Sequence, residues 1–129
     1  MKYFLFIITM FICFISCEEK SKTHLIDLDF KKDSRYEYAF NKNGTVFTGT
    51  AWSSDEKTIK IVAKNGVIMS TTIYHNNGQV AAYISEHENC RSFYDHQGEL
   101  TDEKEMEFWY PELFAQIKAI GNEIHYIDN

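Results

Sequence analysis

The protein has 129 residues, of which 44% are hydrophobic and 25% are charged, and these values predict one folded domain rather than a disordered chain. Thirteen Lys and Arg residues stand against 19 Asp and Glu residues, a formal net charge of -6. This charge argues against a nucleic-acid partner, because phosphate binding depends on positive charge.

The N-terminus has the pattern of a secretory signal peptide. Lys2 supplies a positive charge, and residues 3–16 form an apolar run that is shorter than the roughly 20 residues a membrane-spanning helix needs. The run ends in Ser16-Cys17, and a small residue directly before a cysteine resembles the lipobox of bacterial lipoproteins. The alternatives are an apolar helix packed in a core and an uncleaved membrane anchor.

The lipobox resemblance implies a signal peptide over residues 1–16, cleavage before Cys17 and acylation of that cysteine. The mature protein would then be held by lipid on the bacterial cell envelope, at the outer membrane, on its periplasmic or surface side. Residues 17–35 are predicted to be the lipidated cysteine and a tether, although alternating apolar residues over 25–30 give a short strand signal. Cys90 would remain as the single unmodified cysteine, which excludes an intrachain disulfide, and we interpret it as a small buried apolar residue.

Residues 36–100 predict a regular antiparallel meander. Six runs rich in Val, Ile, Thr, Tyr and Phe predict strands over 36–40, 46–52, 58–63, 67–74, 79–85 and 89–94. The punctuating turn glycines, each preceded by Asn or Gln, are Gly44, Gly66, Gly78 and Gly98. Asn-Gly between such runs predicts hairpins with type I′ turns, in which both central residues have positive φ.

A repeated unit accompanies these turns: an aromatic residue, three polar residues and a glycine. The copies are residues 40–44, 74–78 and 94–98, with 62–66 as a degraded fourth copy. Each unit is a strand and a turn that cannot bury its own face. We therefore expect neighbouring units to share one continuous sheet.

These units resemble the MORN-variant repeats of the YwqK antitoxin type. The closest local similarity runs from Asn43 to Trp52, where a turn glycine, an aromatic residue and Thr48-Gly49 precede a strand. The resemblance implies a mainly β fold, an antiparallel β-meander of MORN-like hairpin repeats over residues 36–100. It also implies that the repeats act chiefly as a scaffold and interaction surface.

The hydrophobic period changes after residue 100. Asp102 and Glu105 have the spacing of a capping box, and Pro111 suits the first position of a helix. We expect one C-terminal helix over 111–120, ended by Gly121, with a helical turn before it. One face of this helix is apolar and should pack on the sheet: Leu113, Phe114, Ile117 and Ile120. Residues 101–129 are thus predicted to be a helical segment that packs on the sheet, with a last short strand near 124–127.

Motifs for catalysis or metal binding are not found in the sequence. None of the five histidines has the HExxH form or paired Cys/His spacing, and there is no nucleophile elbow, P-loop or dinucleotide-binding glycine motif. We therefore predict no enzyme activity, no cofactor and no metal. His75 and His96 lie within repeat turns and are interpreted as exposed polar residues, with a shared binding edge as the alternative.

The candidate interaction surface consists of Trp52, Tyr74, Tyr94 and Trp109. The leading hypothesis is a non-enzymatic, lipid-anchored protein-interaction module whose sheet face or edge binds a protein of unknown identity. An immunity or antitoxin-like protein that neutralises a periplasmic toxin is the first alternative. The second is a small-ligand carrier or enzyme that uses the aromatic residues around Trp109. A pocket with convergent polar groups would favour the carrier or enzyme, and a flat aromatic and acidic sheet face would favour the module.

Overall fold

The computed structural model describes residues 22–127, so the predicted signal peptide over 1–16 and the lipidation of Cys17 lie outside the described residues. Within this range nine strands form one sheet. The strands are Thr23–His24 (β1), Leu28–Lys32 (β2), Glu37–Asn41 (β3), Gly49–Trp52 (β4), Ile59–Lys64 (β5), Val67–Tyr74 (β6), Val80–Ser85 (β7), Cys90–Tyr94 (β8) and Leu100–Thr101 (β9). A 3-10 turn, Leu25–Asp27, joins β1 to β2, and two helices follow the sheet, Glu103–Trp109 (α1) and Pro111–Gly121 (α2). Neither helix is long and apolar enough to cross a membrane.

The sheet is a meander in which β4 to β9 lie side by side in chain order, each antiparallel to the next. Strand β1 lies parallel to β4 at one end, and β2 with β3 forms a hairpin that branches from the meander at β6. Short turns between consecutive strands dictate antiparallel pairing, since a parallel neighbour needs a long crossover. The predicted fold class, mainly β with an antiparallel meander, is confirmed.

The fold begins earlier than the predicted tether over 17–35 allows. Residues 23–32 form β1, the 3-10 turn and β2, and the side chains of Leu25, Leu28 and Phe30 are completely buried. Burial of three large apolar side chains offsets the entropy of ordering this segment. The tether prediction is therefore wrong from Thr23 onward. The strand signal over 25–30 is correct from Leu28, whereas Leu25–Asp27 form the 3-10 turn.

The three repeat units form the same turn. The N–H groups of Gly44, Gly78 and Gly98 each donate to the carbonyl three residues earlier, and all three glycines have φ between 84° and 89°. Each is a three-residue loop that ends in a left-handed glycine. The residue before each of these glycines does not have positive φ, so the predicted type I′ turn is wrong at 43–44 and 77–78. It is correct at Asn65-Gly66, where φ is 51° and 85° and two residues join paired strands.

The C-terminal segment contains two helices rather than one. The Asp102 carboxylate accepts a hydrogen bond from the Glu105 backbone N–H at 2.8 Å and caps α1, at the residue that the capping-box spacing predicts. Tyr110, with ψ of 57°, leaves the helical conformation and ends α1. Pro111 then starts α2, because proline lacks the N–H that a first helical position leaves unpaired.

The hydrophobic core lies on one face of the sheet and has two parts. The larger part gathers apolar side chains of the first strands with one residue from α2: Leu25, Leu28, Phe30, Ala39, Phe47, Ala51, Ile59, Ile61, Ala63, Ile68 and Ile120. The smaller part is formed where Met106 of α1 and Leu113 of α2 pack on Ala81. The chain after α2 returns to the sheet, where Tyr126 bridges Phe30 in a parallel arrangement. Residues 101–127 therefore belong to the packed domain.

Candidate functional site

Three turns and the junction of the two helices meet at one end of the sheet. In a meander, alternate turns lie at the same end of the strands, which places the loops 53–58, 75–79 and 95–99 together. Of the predicted turn glycines, Gly78 and Gly98 lie at this end. Gly44 and Gly66 belong to the turns at the opposite end, where the Val46 side chain lies against Gly66.

The aromatic residues at this end form two groups. Trp52 of β4 and Tyr74 of β6 stack with ring centroids 6.1 Å apart and 20° between their planes. The Lys22 ammonium lies 4.4 Å from the Trp52 ring centroid, and the Lys60 ammonium lies 5.9 Å from both rings. At these distances the ammonium groups attract the ring faces through cation–π interactions.

The second group is a cluster of three rings, His75, His96 and Tyr110. Their centroids are 4.5 to 4.7 Å apart and each pair is arranged edge to face. The His96 backbone N–H donates to the Tyr110 hydroxyl at 3.1 Å, and the Asn77 amide donates to the His96 carbonyl at 3.0 Å. These contacts join two repeat turns to the residue between the helices.

His75 is 3% exposed, so its interpretation as an exposed polar residue is wrong. The Tyr110 ring packs against it, which no local pattern in the sequence predicts. The His75 Nε2 lies 2.7 Å from the Tyr94 carbonyl oxygen, which can only accept, so Nε2 carries the hydrogen. In the neutral ring Nδ1 is then an acceptor. His96 is exposed, as predicted.

Two adjoining cavities run across this end of the sheet, and we call them together the aromatic groove. The first, of about 500 Å³, contains Trp52, Tyr74 and the loop 55–58 in its wall. The second, of about 360 Å³, is lined by His96, Trp109 and Tyr110. Both share His75, Asn76 and Gln116. The groove is therefore aromatic at its two ends and polar in the middle.

The four predicted interaction residues are only partly brought together. Trp52, Tyr74 and Trp109 line the groove, whereas Tyr94 contributes the backbone carbonyl that holds His75. Sequence reasoning missed Asn76 and Gln116. Asn76 follows His75 in a repeat turn and could have been found there, but no pattern marks Gln116 on α2.

The rim beside Trp109 is unusually apolar. Phe108 is 73% exposed and Trp109 is 68% exposed, and their rings lie 5.0 Å apart at right angles. Neither ring packs in the core, because the buried face of α1 is occupied by Met106. Two large rings remain in water next to the groove.

The Asp55 carboxylate has a structural role in the groove wall. It accepts hydrogen bonds from the Ser53 hydroxyl at 2.6 Å, from the backbone N–H groups of Lys57 and Thr58, and from the Thr58 hydroxyl. Burial alone would raise the pKa of Asp55, but these hydrogen bonds outweigh it and hold the pKa well below its usual range. The neighbouring Glu56 accepts from the His24 Nε2 at 2.8 Å. The carboxylates of Asp55 and Glu56 therefore both accept hydrogen bonds from within the fold.

Among residues 22–127, no group of three or more His, Cys, Asp and Glu side chains is placed to hold a metal ion. Cys90 is half-buried rather than fully buried, with its Sγ 3.8 Å from the Ser92 hydroxyl. Comparisons of the chain with protein-family models, with curated proteins and with solved structures find no match. The resemblance to MORN-variant repeats therefore stays a prediction that rests on the repeated turn residues.

Proposed function

We propose that this protein is a non-enzymatic binding module, held on the bacterial envelope by lipid on Cys17, that binds a partner protein in the aromatic groove. The observation that carries this proposal is the exposure of Phe108 and Trp109, at 73% and 68%, on the rim of a groove. Aromatic side chains dominate the binding energy of protein interfaces, and adjacent exposed rings mark interaction sites. A flat sheet face has no part in this arrangement.

The middle of the groove suits a polypeptide backbone. Asn76 and Gln116 present exposed amides that can donate and accept, and the His75 Nδ1 can accept. A backbone segment between two aromatic anchors would find hydrogen-bond partners there. These polar groups also favour a second candidate, a small-ligand carrier, since ligand sites combine apolar walls with a few convergent polar groups. The exposure of Phe108 and Trp109 at the rim of the groove favours the protein.

The edges of the sheet are less suited to a partner than the groove. At the ends of the meander, β1 and β9 have two residues each, too short to template an added strand. The outer side of β2 is taken by the chain after α2, because the Phe30 N–H donates to the His125 carbonyl and the Ile127 N–H donates to the Phe30 carbonyl. The groove is therefore the proposed site, and the sheet edge is not.

The proposed anchor would keep the groove close to the membrane. Lys22 contacts Trp52, so the chain enters the fold beside one end of the groove. The segment from Cys17 to Lys22 spans at most about 18 Å when extended. A partner in the groove would then lie near the lipid surface, which fits a partner that is itself in the envelope. An immunity-type function is the case in which that partner is a toxin.

Site-specific photo-crosslinking in cells tests the proposal. A photoreactive amino acid at Gln116 lies in the groove, and the same amino acid at the exposed Lys118 on α2 is the matched control outside it. We expect a discrete protein adduct at 116 but not at 118, identified by mass spectrometry and lost when Trp109 is replaced by Ala. Equal adducts at both positions, or an adduct that ignores Trp109→Ala, would contradict the proposal. A small-molecule adduct at 116 would support the carrier instead.

A further inference from the structure

Apart from the aromatic groove, a further cavity lies on the helix-covered face of the sheet, and it has no part in the proposed function. It is a cleft of about 310 Å³ between the two parts of the core. Seven isoleucines line it, from the strands, from α2 and from the segment after α2: Ile59, Ile61, Ile68, Ile73, Ile84, Ile117 and Ile124. We call it the isoleucine cleft.

The strand register explains why the chain leaves this cleft open. On the face of the sheet that the helices cover, paired residues of neighbouring strands form two adjacent rows of side chains. The first row is Ile73, Ala82 and Phe93, and the helices pack beside it. The second row contains Thr71, Ile84 and Arg91, and Ile84 is only half-buried. The helices contact the sheet on both sides of this second row, through Leu113 and through Ile120.

The cleft continues beneath the helices. A smaller cavity of about 120 Å³ under α1 and α2 shares four wall residues with it, namely Ile73, Ile84, Arg91 and Ile117. An α-helix with its side chains is about 10–12 Å wide and could not follow this route. A single flexible hydrocarbon chain could. The shape therefore favours an unbranched apolar ligand over a protein segment.

A positive charge stands where the two cavities meet. Arg91 lines both, and within residues 22–127 it takes part in no ion pair. The other basic residue of the cleft, Lys32, is paired with Glu37 at 3.8 Å. Glu86 is the remaining acid in the wall of the cleft, and Glu103 lines the smaller cavity. A guanidinium binds a carboxylate through two parallel hydrogen bonds, so the exposed Arg91 can hold an acidic head group between the two cavities, from where an apolar chain can enter the isoleucine cleft.

We propose that the isoleucine cleft binds a free fatty acid, with its carboxylate on Arg91 and its chain along the isoleucine walls. This inference is independent of the aromatic groove and of the lipid on Cys17. A guanidinium also binds phosphate, so a lysophospholipid is the competitor that distinguishes the two sources of hydrocarbon. The segment 22–127 contains both parts of the core, so the chain from Glu18 to Asn129 is the form to test.

The experiment is a titration of this protein with cis-parinaric acid, a fluorescent fatty acid, and with its methyl ester. We expect saturable binding of the acid, weakened by at least about tenfold in Arg91→Gln because a charged hydrogen-bond partner is lost. The ester should bind wild type and Arg91→Gln equally. Arg35→Gln, at an exposed arginine outside the cleft, is the matched control and should bind like wild type.

A second variant tests the apolar walls. Ile84→Trp should fill the cleft and abolish binding of both acid and ester, while thermal unfolding checks that the variant folds. The proposal is overturned if wild type shows no saturable binding, if Arg91→Gln binds the acid like wild type, or if a lysophospholipid of equal chain length competes as well as the acid. Arg91→Gln does not alter the core. The comparison of its fatty-acid binding with that of wild type therefore tests the proposal even if Ile84→Trp does not fold.

Discussion

His75 shows how a single residue of a surface turn becomes part of the proposed binding site. Burial of an imidazole is costly unless its polar atoms are satisfied, and the hydrogen bond from Nε2 to the Tyr94 carbonyl meets this need. The same bond fixes the tautomer and orients Nδ1 as the acceptor. The turn chemistry thus determines what the groove can bind.

Gly78 has a conformational role that a substitution can isolate. Its φ is 88°, and a Cβ added there would meet no atom within 4 Å, so strain is the sole penalty. We expect Gly78→Val to lower the free energy of unfolding by about 1–3 kcal/mol, and Gly78→Asn to cost less because Asn tolerates this region. Urea unfolding of residues 18–129 measures both. Gly121→Ala, in α2, is the control and should not destabilise; equal stability of Gly78→Val and wild type would show that the turn assignment is wrong.

Asp55 predicts a pH dependence of stability. Its folded pKa lies below the ordinary value of 3.8, so its contribution is present above about pH 4 and is lost as the pH falls through the folded pKa. Asp55→Asn should cost about 1–2 kcal/mol near neutral pH through lost hydrogen bonds. The difference between the two proteins should shrink as the pH falls below 4. Parallel stability curves for variant and wild type between pH 2 and pH 7 would contradict this.

At the scale of elements, α2 links the two parts of the core. Leu113 belongs to the smaller part and Ile120 to the larger, one at each end of the helix. A helix of this kind stabilises the sheet more than it stabilises itself, because most helical stability in proteins comes from tertiary packing. The helix therefore contributes one wall of the isoleucine cleft, through Ile117, and one wall of the aromatic groove, through Gln116.

Removal of α2 should unfold the domain. Ile120→Ala and Leu113→Ala should each cost about 2–4 kcal/mol, and deletion of residues 111–129 should give aggregated or degraded protein, since total stability is about 5–15 kcal/mol. Thermal unfolding and solubility measure these effects. Lys118→Ala, at an exposed position of the same helix, is the control and should change stability by less than about 0.5 kcal/mol. A soluble deletion variant that melts near the full-length temperature would show that α2 is an accessory.

At the scale of the whole molecule, the proposed lipid anchor and the groove have a defined relation. The chain enters the sheet at Thr23, directly beside the groove. With the proposed lipid on Cys17, Lys22 beside the groove would lie at most about 18 Å from the anchored residue. A longer segment between Cys17 and Lys22 would allow the groove to lie farther from the membrane.

The anchor itself depends on one thiol. Cys17→Ser should abolish labelling of the protein by radioactive fatty acid and move it from the membrane fraction to the soluble fraction, because stable anchoring needs more than one acyl chain. Cys90→Ser is the matched control and should keep both label and membrane location. Unchanged labelling of Cys17→Ser would contradict the lipoprotein hypothesis.

The sequence by itself determined strands β3 to β8, the positions of the turns between them and the cap of α1. These features depend on neighbours within a few residues: side chains alternate along a strand, a left-handed turn position selects glycine, and Asp102 caps the N–H of Glu105. Strand β6, Val67–Tyr74, was predicted to the residue for this reason. The type I′ turns at 43–44 and 77–78 were mispredicted because strand register, which is not local, selects the loop length.

Only the tertiary structure decided the burial of His75, the exposure of Phe108 and Trp109, and the presence of the aromatic groove and the isoleucine cleft. Each depends on which turns share an end of the sheet and on where two helices lie across it, and no short-range pattern encodes those distances. Tyr110 buries His75 from 35 positions along the chain. The cleft exists because Leu113 and Ile120 pack on either side of one cross-strand row. Site chemistry here comes from contacts between distant segments, whereas strand and turn chemistry comes from adjacent ones.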